Sequence, residues 1–327
     1  MKQHALLVLL LNYFSYVQAQ SAFGNEPLAH TYSIVAYDPS NGDMGVAVQS
    51  HWFSVGTVVA WAEAGVGAIA TQSFVNPAFG PEGLALLKSG KSAQEVINIL
   101  TEADEGRVFR QLGIVDNQGN TASYTGEKCI EAAGHLVGKN YAVQANMMLN
   151  DKVWSAMAKA FEAAVGQPLA ERLVAALEAA QSVGGDIRGQ QSAALLVVSG
   201  ENTGKPWVDR KVDLRVDDHP TPTAELKRLL KTHRAYEFMN RGDVQMEEGK
   251  IDEAMKSYAA ASQLFPENLE MKFWTAVNLA NSGKVDQALP MFQAIFKKDK
   301  NWAELLKRLP KSGLLTVNDA DMKRILK

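Results

Sequence analysis

TYSIVAYDPSNGDMGVAVQS, residues 31–50, decides the fold of this chain. Two runs of β-branched and small apolar residues flank Pro39-Ser40-Asn41-Gly42-Asp43, whose residues favour a turn, so the stretch predicts an antiparallel hairpin. Further along, Thr57 to Ser73 sets Gly65 and Gly67 between two apolar runs, which predicts a third and a fourth strand with room for close backbone approach. Between Gly83 and Asp104 the apolar spacing changes to three and four, at Leu84 and Leu87 and then at Val96, Ile97 and Leu100. Two helices fit, the second capped by Ser92 with Glu95 three residues on.

Strand signals return in RQLGIVDNQGNTASYTG, with a turn at Asn117 to Gly119, and again near Tyr141 to Leu149; a second sheet is expected to start there. Val153 to Ala180 reads as helix broken near Gly166-Gln167-Pro168, because Trp154, Met157 and Phe161, then Leu169, Leu173 and Leu177, keep one apolar face. SAALLVVSG, residues 192–200, is apolar enough for a central buried strand closing the domain. Cys129 is the single cysteine, so no intramolecular disulfide or cysteine-based zinc site can form, and it reads as a small buried hydrophobe.

Asp217-Asp218-His219-Pro220-Thr221-Pro222 then marks a linker, and everything beyond it reads as helical. Gly249, Ala254 and Tyr258 recur as Gly283, Ala288 and Phe292, each pair 34 apart (283 − 249, 288 − 254, 292 − 258), which is the tetratricopeptide period. Pro266 ends the first unit, and Pro290 is expected to cost or kink the second unit's helix. Two visible units are fewer than a free solenoid needs, so the module is expected to pack on the first domain or on a partner.

Upstream of Thr31 the chain has Lys2, an apolar run from Ala5 to Leu11, and Val17-Gln18-Ala19, the pattern of a secretory leader cut before Gln20. Asn12 interrupts that run well short of the roughly 20 apolar residues a membrane span needs. The expectation is therefore a signal peptide over 1–19, a propeptide-like segment over 20–30, a domain of strands and helices over 31–216, a linker and leading helix over 217–233, and a tetratricopeptide-like helical module over 234–327. Such a protein would be periplasmic or secreted and not stably inserted in a membrane. The 327 residues carry a net charge of −3, which leaves no broad cationic surface for nucleic acid.

The sequence holds no Gly-x-Ser-x-Gly elbow, no His-Glu-x-x-His helix and no Walker-type phosphate loop, and its 6 histidines are scattered, which argues against a metal site. One chemistry needs no histidine: a hydroxyl residue at a free N-terminus, whose own α-amino group takes the hydroxyl proton. TYSIVAYDPSNGDMGVAVQS, VGAIATQSFVNPAFGPEGLALL, RQLGIVDNQG, ANMML and GGDIRGQQSAALLV together resemble the bacterial domain of unknown function 1028 family, assigned to the N-terminal-nucleophile (Ntn) hydrolase superfamily. The resemblance covers about Thr31 to Gly200. It implies an α+β fold, the four-layer αββα sandwich, with Thr31 at the family's nucleophile position and no cofactor. This chain departs from the arrangement in which the threonine directly follows Met, so the mechanism requires a second cut between His30 and Thr31.

Supporting residues follow. Asp186 and Arg188 precede a buried strand, where the pair would orient the amine or hold a substrate carboxylate, or else serve structure alone. Asn76 and Asn146, or backbone amides near Gly67 and Ala68, would donate to an oxyanion, although Asn is also ordinary turn chemistry. The family pattern often has Gly before this Asn, where Ala145 stands. Ser50 and His51 end a strand and would contribute polar groups, or face solvent; Gln72 joins them among the substrate-binding candidates. Trp61 and Phe79 would wall a pocket or fill core. Two functions fit: an exported amidohydrolase of N-terminal-threonine type acting on a small-molecule or peptide amide, and a non-catalytic binding or scaffold protein docking a partner through its helical repeats. Homo-oligomerisation is compatible with either.

Overall fold

The structure, a computed structural model, describes residues 28–327. The leader expected over 1–19, and the segment following it as far as residue 27, lie outside the described residues. The chain divides into two compact units, at Arg228 and Leu229.

The first unit is built on two antiparallel sheets. One orders β1 (Leu28–Ala29), β5 (Gly67–Phe74), β6 (Arg110–Asp116) and β7 (Thr121–Thr125), with β4 (Ala60–Glu63) also paired to β5. The other runs β11 (Arg210–Val216), β10 (Ser192–Val198), β3 (Met44–Ser50), β2 (Thr31–Tyr37), β9 (Tyr141–Ala145) and β8 (Gly134–Gly138). The opening hairpin forms as read, with Thr31 opposite Ser50 and Tyr37 opposite Met44. The expected division between sheets is corrected, however. β2 and β3 belong to one sheet while β4 and β5 belong to the other, which β6 and β7 then extend. The change of sheet falls in residues 51–59, where a one-turn 3-10 segment, Val55–Thr57, follows Ser54 in a left-handed conformation. Hydrophobic alternation identifies a strand but is silent about its neighbour.

Alternation does fix the faces. Val46, Val48, Ala68, Ala70 and Val115 point between the sheets and form one buried cluster. Ile69, Leu112 and Ile114 point the other way, onto α1 (Phe79–Lys88) and α2 (Ala93–Glu102), in a second cluster. α3 (Val153–Ala163) and α4 (Leu169–Ser182) cover the outer face of the other sheet, burying Phe161, Leu173 and Leu177. Ser92 and Glu95 form the expected capping box on α2. Trp61 and Phe79 belong to this helix-facing core, with the Gly80 backbone set close against the Trp61 indole. Cys129 is buried, donates to Arg110 O, and burial pushes its thiol pKa up. β10 is an interior strand as expected, but β11, preceded by the short α5 (Pro206–Asp209), closes the domain instead.

The second unit is helical. α6 (Pro222–Glu247) begins before the division; α7 (Ile251–Leu264), α8 (Leu269–Asn281), α9 (Val285–Lys298), α10 (Asn301–Arg308) and α11 (Asp319–Ile325) follow. Gly249 and Gly283 occupy equivalent turns at the same φ of 75°. Ala254, Tyr258, Ala288 and Phe292 are all buried, as the repeat requires. α9 continues through Pro290. At most one hydrogen bond, to the carbonyl four residues back, is lost there. Leu306, Leu309, Leu315 and Ile325 join the core around Phe292, so the C-terminal elements themselves cover the end of the second repeat.

Candidate functional site

The register of β2 with β3 and β9 puts Thr31 at one end of the six-stranded sheet, with its side chain between the sheets. Thr31, His30 and Ser50 are all buried. Leu28 and Ala29, just upstream, pair with Phe74 and Ser73 of the opposite sheet, so the chain crosses from one sheet to the other at His30.

The carbonyl oxygen of His30, in the peptide bond joining His30 to Thr31, accepts two side-chain donors. Ser50 Oγ lies at 2.5 Å and Arg188 Nη2 at 2.8 Å. Arg188 is oriented by Asp186, a fully buried carboxylate. Its Oδ1 accepts Arg188 Nε at 3.0 Å and the Arg188 backbone N–H at 2.9 Å, and Oδ2 accepts Nη2 at 2.7 Å. The two-nitrogen, two-oxygen match is specific to a guanidinium and fixes its plane. Thr31 Oγ1 donates to Ala29 O at 2.7 Å.

Behind Thr31 lies a buried polar network. Thr31 O accepts Asn146 N at 3.1 Å and Gln72 Nε2 at 3.2 Å. Gln72 Oε1 accepts Ser33 Oγ at 2.6 Å, and Ser33 Oγ in turn accepts Gln144 Nε2 at 2.6 Å. Gln111 Oε1 takes Gln72 Nε2 at 2.7 Å and Asn146 Nδ2 at 2.9 Å. Strands β2, β5, β6 and β9 are thereby tied across the gap between sheets, and a network in this low-dielectric interior holds its members in one arrangement. His30 Nδ1 and Asn146 Oδ1 are 2.8 Å apart, which places the proton on Nδ1. Burial holds the His30 imidazole below its ordinary pKa and so favours that neutral form, although the Asn146 bond opposes the shift.

The structure thus brings together Thr31, Ser50, Gln72, Asn146, Asp186 and Arg188 from five separated stretches of sequence. Three roles change. Asn146 and Gln72 spend their amide donors on Gln111 and Thr31 O; the carbonyl of His30 is met by Ser50 and Arg188 instead. His51 contributes its backbone N–H to Asp186 at 3.3 Å while its ring is exposed. Asn76 stands outside the cluster: its Oδ1 accepts Ala78 N in the turn that opens α1, and it borders a groove of about 600 Å³ beside Phe79 and Leu100. Gly67 and Ala68 lie at the far end of β5 from Ser73. Ala145 stays in register with Tyr32 and is fully buried, so its methyl is accommodated. Among residues not singled out from sequence as site candidates, Ser33, Gln111 and Gln144 carry the network and His30 the crossing. Their one visible signal is a polar side chain on the inward phase of an apolar strand, as Gln111 shares a face with Gly113 and Val115. Among the described residues no cluster of three or more His, Cys, Asp or Glu could hold a metal.

A mixed α/β domain with a threonine-centred polar cluster, followed by tetratricopeptide-like helices, is the class defined by these observations. The chain belongs to the family of unknown function DUF1028, matched over residues 31–226, and residues 245–309 match the tetratricopeptide repeat. The crystal structure of protein SPO2555 from Silicibacter pomeroyi, itself matched to DUF1028, is similar at 32% identity and a TM-score of 0.56, covering 62% of this chain and 88% of that one. Anbu (ancestral beta-subunit) from Yersinia bercovieri gives 14% identity and a TM-score of 0.31 over 61% of this chain and 92% of its own, too slight a likeness to carry argument. No curated protein matches.

Proposed function

We propose that the first unit is an amidohydrolase of N-terminal-threonine type on a four-layer αββα sandwich, exported and activated by a cut between His30 and Thr31. The observation that carries this reading is the His30 carbonyl: the one peptide bond whose cleavage would free Thr31 has its oxygen held by a hydroxyl and a guanidinium. Attack by Thr31 Oγ1 on that carbonyl carbon would put negative charge on the same oxygen, where donors fixed in advance act most strongly. The C–N bond then breaks, the Oγ1 proton passes to the departing Thr31 nitrogen to leave it a free α-amine, and water hydrolyses the resulting ester to a peptide acid and the free Thr31 hydroxyl. The freed α-amine, with an ordinary pKa near 8, becomes the base that takes the hydroxyl proton in later turnovers. Thr31 is the catalytic residue in this scheme, Ser50 and Arg188 stabilise the oxyanion, and Asp186 is a positioning residue acting through Arg188. No metal or cofactor enters.

The test is the N-terminal sequence and intact mass of the exported protein beside a Thr31→Ala variant. A wild-type chain beginning at Thr31, with the variant uncut at that bond, is the expected result. An identical N-terminus upstream of Thr31 in both would sink the mechanism. It would favour the second reading, a non-catalytic binding protein, which the tetratricopeptide match at 245–309 supports because such helices commonly dock proteins.

A further inference from the structure

We infer that the substrate's acyl side is an extended peptide that takes the place now held by Leu28, Ala29 and His30; this rests on the proposed function above. Self-cleavage would make residues 28–30 the acyl group esterified on Thr31. A substrate acylating the same hydroxyl must direct its carbonyl oxygen to the same donors, Ser50 Oγ and Arg188 Nη2, which β3 and the Asp186 pair hold in place. Its acyl chain therefore enters the space that residues 28–30 occupy, and the fittings of that space describe it.

Three fittings are explicit. Leu28 and Ala29 pair antiparallel with Phe74 and Ser73, on a length of β5 beyond the reach of β4, which covers only Gly67 to Ala70. Departure of the segment would leave this length of β5 edge free to take an added strand, a common mode of peptide recognition. Ala29 is fully buried within the inter-sheet cluster, so the second position from the reacting carbonyl takes a small side chain. His30, at the first position, presents Nδ1–H to Asn146 Oδ1 and stands edge-on to Phe74 at 5.5 Å, which selects a flat side chain bearing a hydrogen-bond donor. Leu28 is 43% exposed and sets no comparable demand.

Turnover would follow the same balance as activation. Thr31 Oγ1 bonds to the substrate carbonyl carbon, its proton passes through the α-amine to the departing amine as the C–N bond breaks, and water hydrolyses the ester to a free peptide acid.

The experiment uses the protein recovered after export, its N-terminus confirmed by mass, and acetyl-Leu-Ala-His aminomethylcoumarin amide as the probe. Comparators carry Trp in place of the probe's Ala, or Leu in place of its His. The expected result is turnover of the first peptide with kcat/KM lower by about 100-fold or more for each comparator, because a buried donor–acceptor site rejects an analogue that leaves it unpaired. In Asn146→Leu the preference of His over Leu should vanish. Processed protein that cleaves other amides without this preference, or cleaves none, overturns the inference while leaving the Thr31 cut standing. Protein with no Thr31 terminus overturns both.

Discussion

At the scale of single residues, the decisive feature is that one carbonyl oxygen has two side-chain donors while the carbonyl one residue later is held by a buried amide network. Ser50→Ala removes a donor from the His30 carbonyl without disturbing the β2–β3 register, because the methyl fits where the hydroxyl sat. Cleavage before Thr31, followed by intact mass over time, should slow by about 100- to 1000-fold. Stability in urea should fall by only about 1 kcal/mol. A large loss of stability with unchanged cleavage would make Ser50 purely structural. His30 supplies a second test, through pH. Burial holds its imidazole below the ordinary 6.5, so as pH falls the unfolded chain takes up the proton first. The associated stability is complete above about pH 6.5 and is lost as the pH drops toward the lowered folded value. In a Thr31→Ala background, which keeps the segment attached, lowering the pH from about 7.5 to about 5.5 should cost more melting temperature than in Thr31→Ala/His30→Gln. His135, whose pKa burial also lowers, contributes to both proteins and cancels in the difference.

At the scale of elements, the site depends on how closely the strands approach. A Cβ added at Gly67 would lie 2.5 Å from Val115 O, a backbone atom of the paired strand that cannot turn aside. Gly67→Ala should therefore cost about 1–3 kcal/mol in urea denaturation by prising β5 from β6. A cost near zero would mean that the strands can part there without penalty. The need for small residues at Gly65 and Gly67 was legible in the sequence, as were the hairpin of β2 and β3, the capping box of Ser92 and Glu95, and the 34-residue helical repeat, because each is encoded by neighbours along the chain. The pairing of β5 with β6 and the strand β1 were not, since partners across a sheet are chosen by packing at a distance and a two-residue strand has no periodicity. The site divides the same way. Thr31, Asp186 and Arg188 stand in recognisable motifs, whereas the Ser33–Gln72–Gln111–Gln144 network emerges only when four strands face one another. Asn76 drew attention for its chemistry, yet its side chain is used by an Asx turn.

At the scale of the whole molecule, each unit has buried clusters of its own. The clusters around Val46 and Ile69 draw only on residues of the first unit, and those around Phe292 and Tyr258 only on residues of the second. The hydrogen-bond partners of Thr31 and of the His30 carbonyl among the described residues also belong to the first unit. No helix among the described residues is long and apolar enough to cross a membrane. The proposed cleavage at Thr31 and the helical module should therefore respond independently to substitution. Phe292 is fully buried and packs against Phe273 at 5.9 Å and Phe296 at 5.7 Å, so Phe292→Ala opens a cavity at the centre of the second repeat. It should cost that unit about 3–5 kcal/mol, enough to lower its melting transition sharply or abolish it. Under the same conditions the rate at which intact mass shifts to a Thr31 terminus should match wild type. Loss of the helical transition together with loss of cleavage would show that the repeats are needed to assemble the proposed site, and would count against a module that acts apart from it.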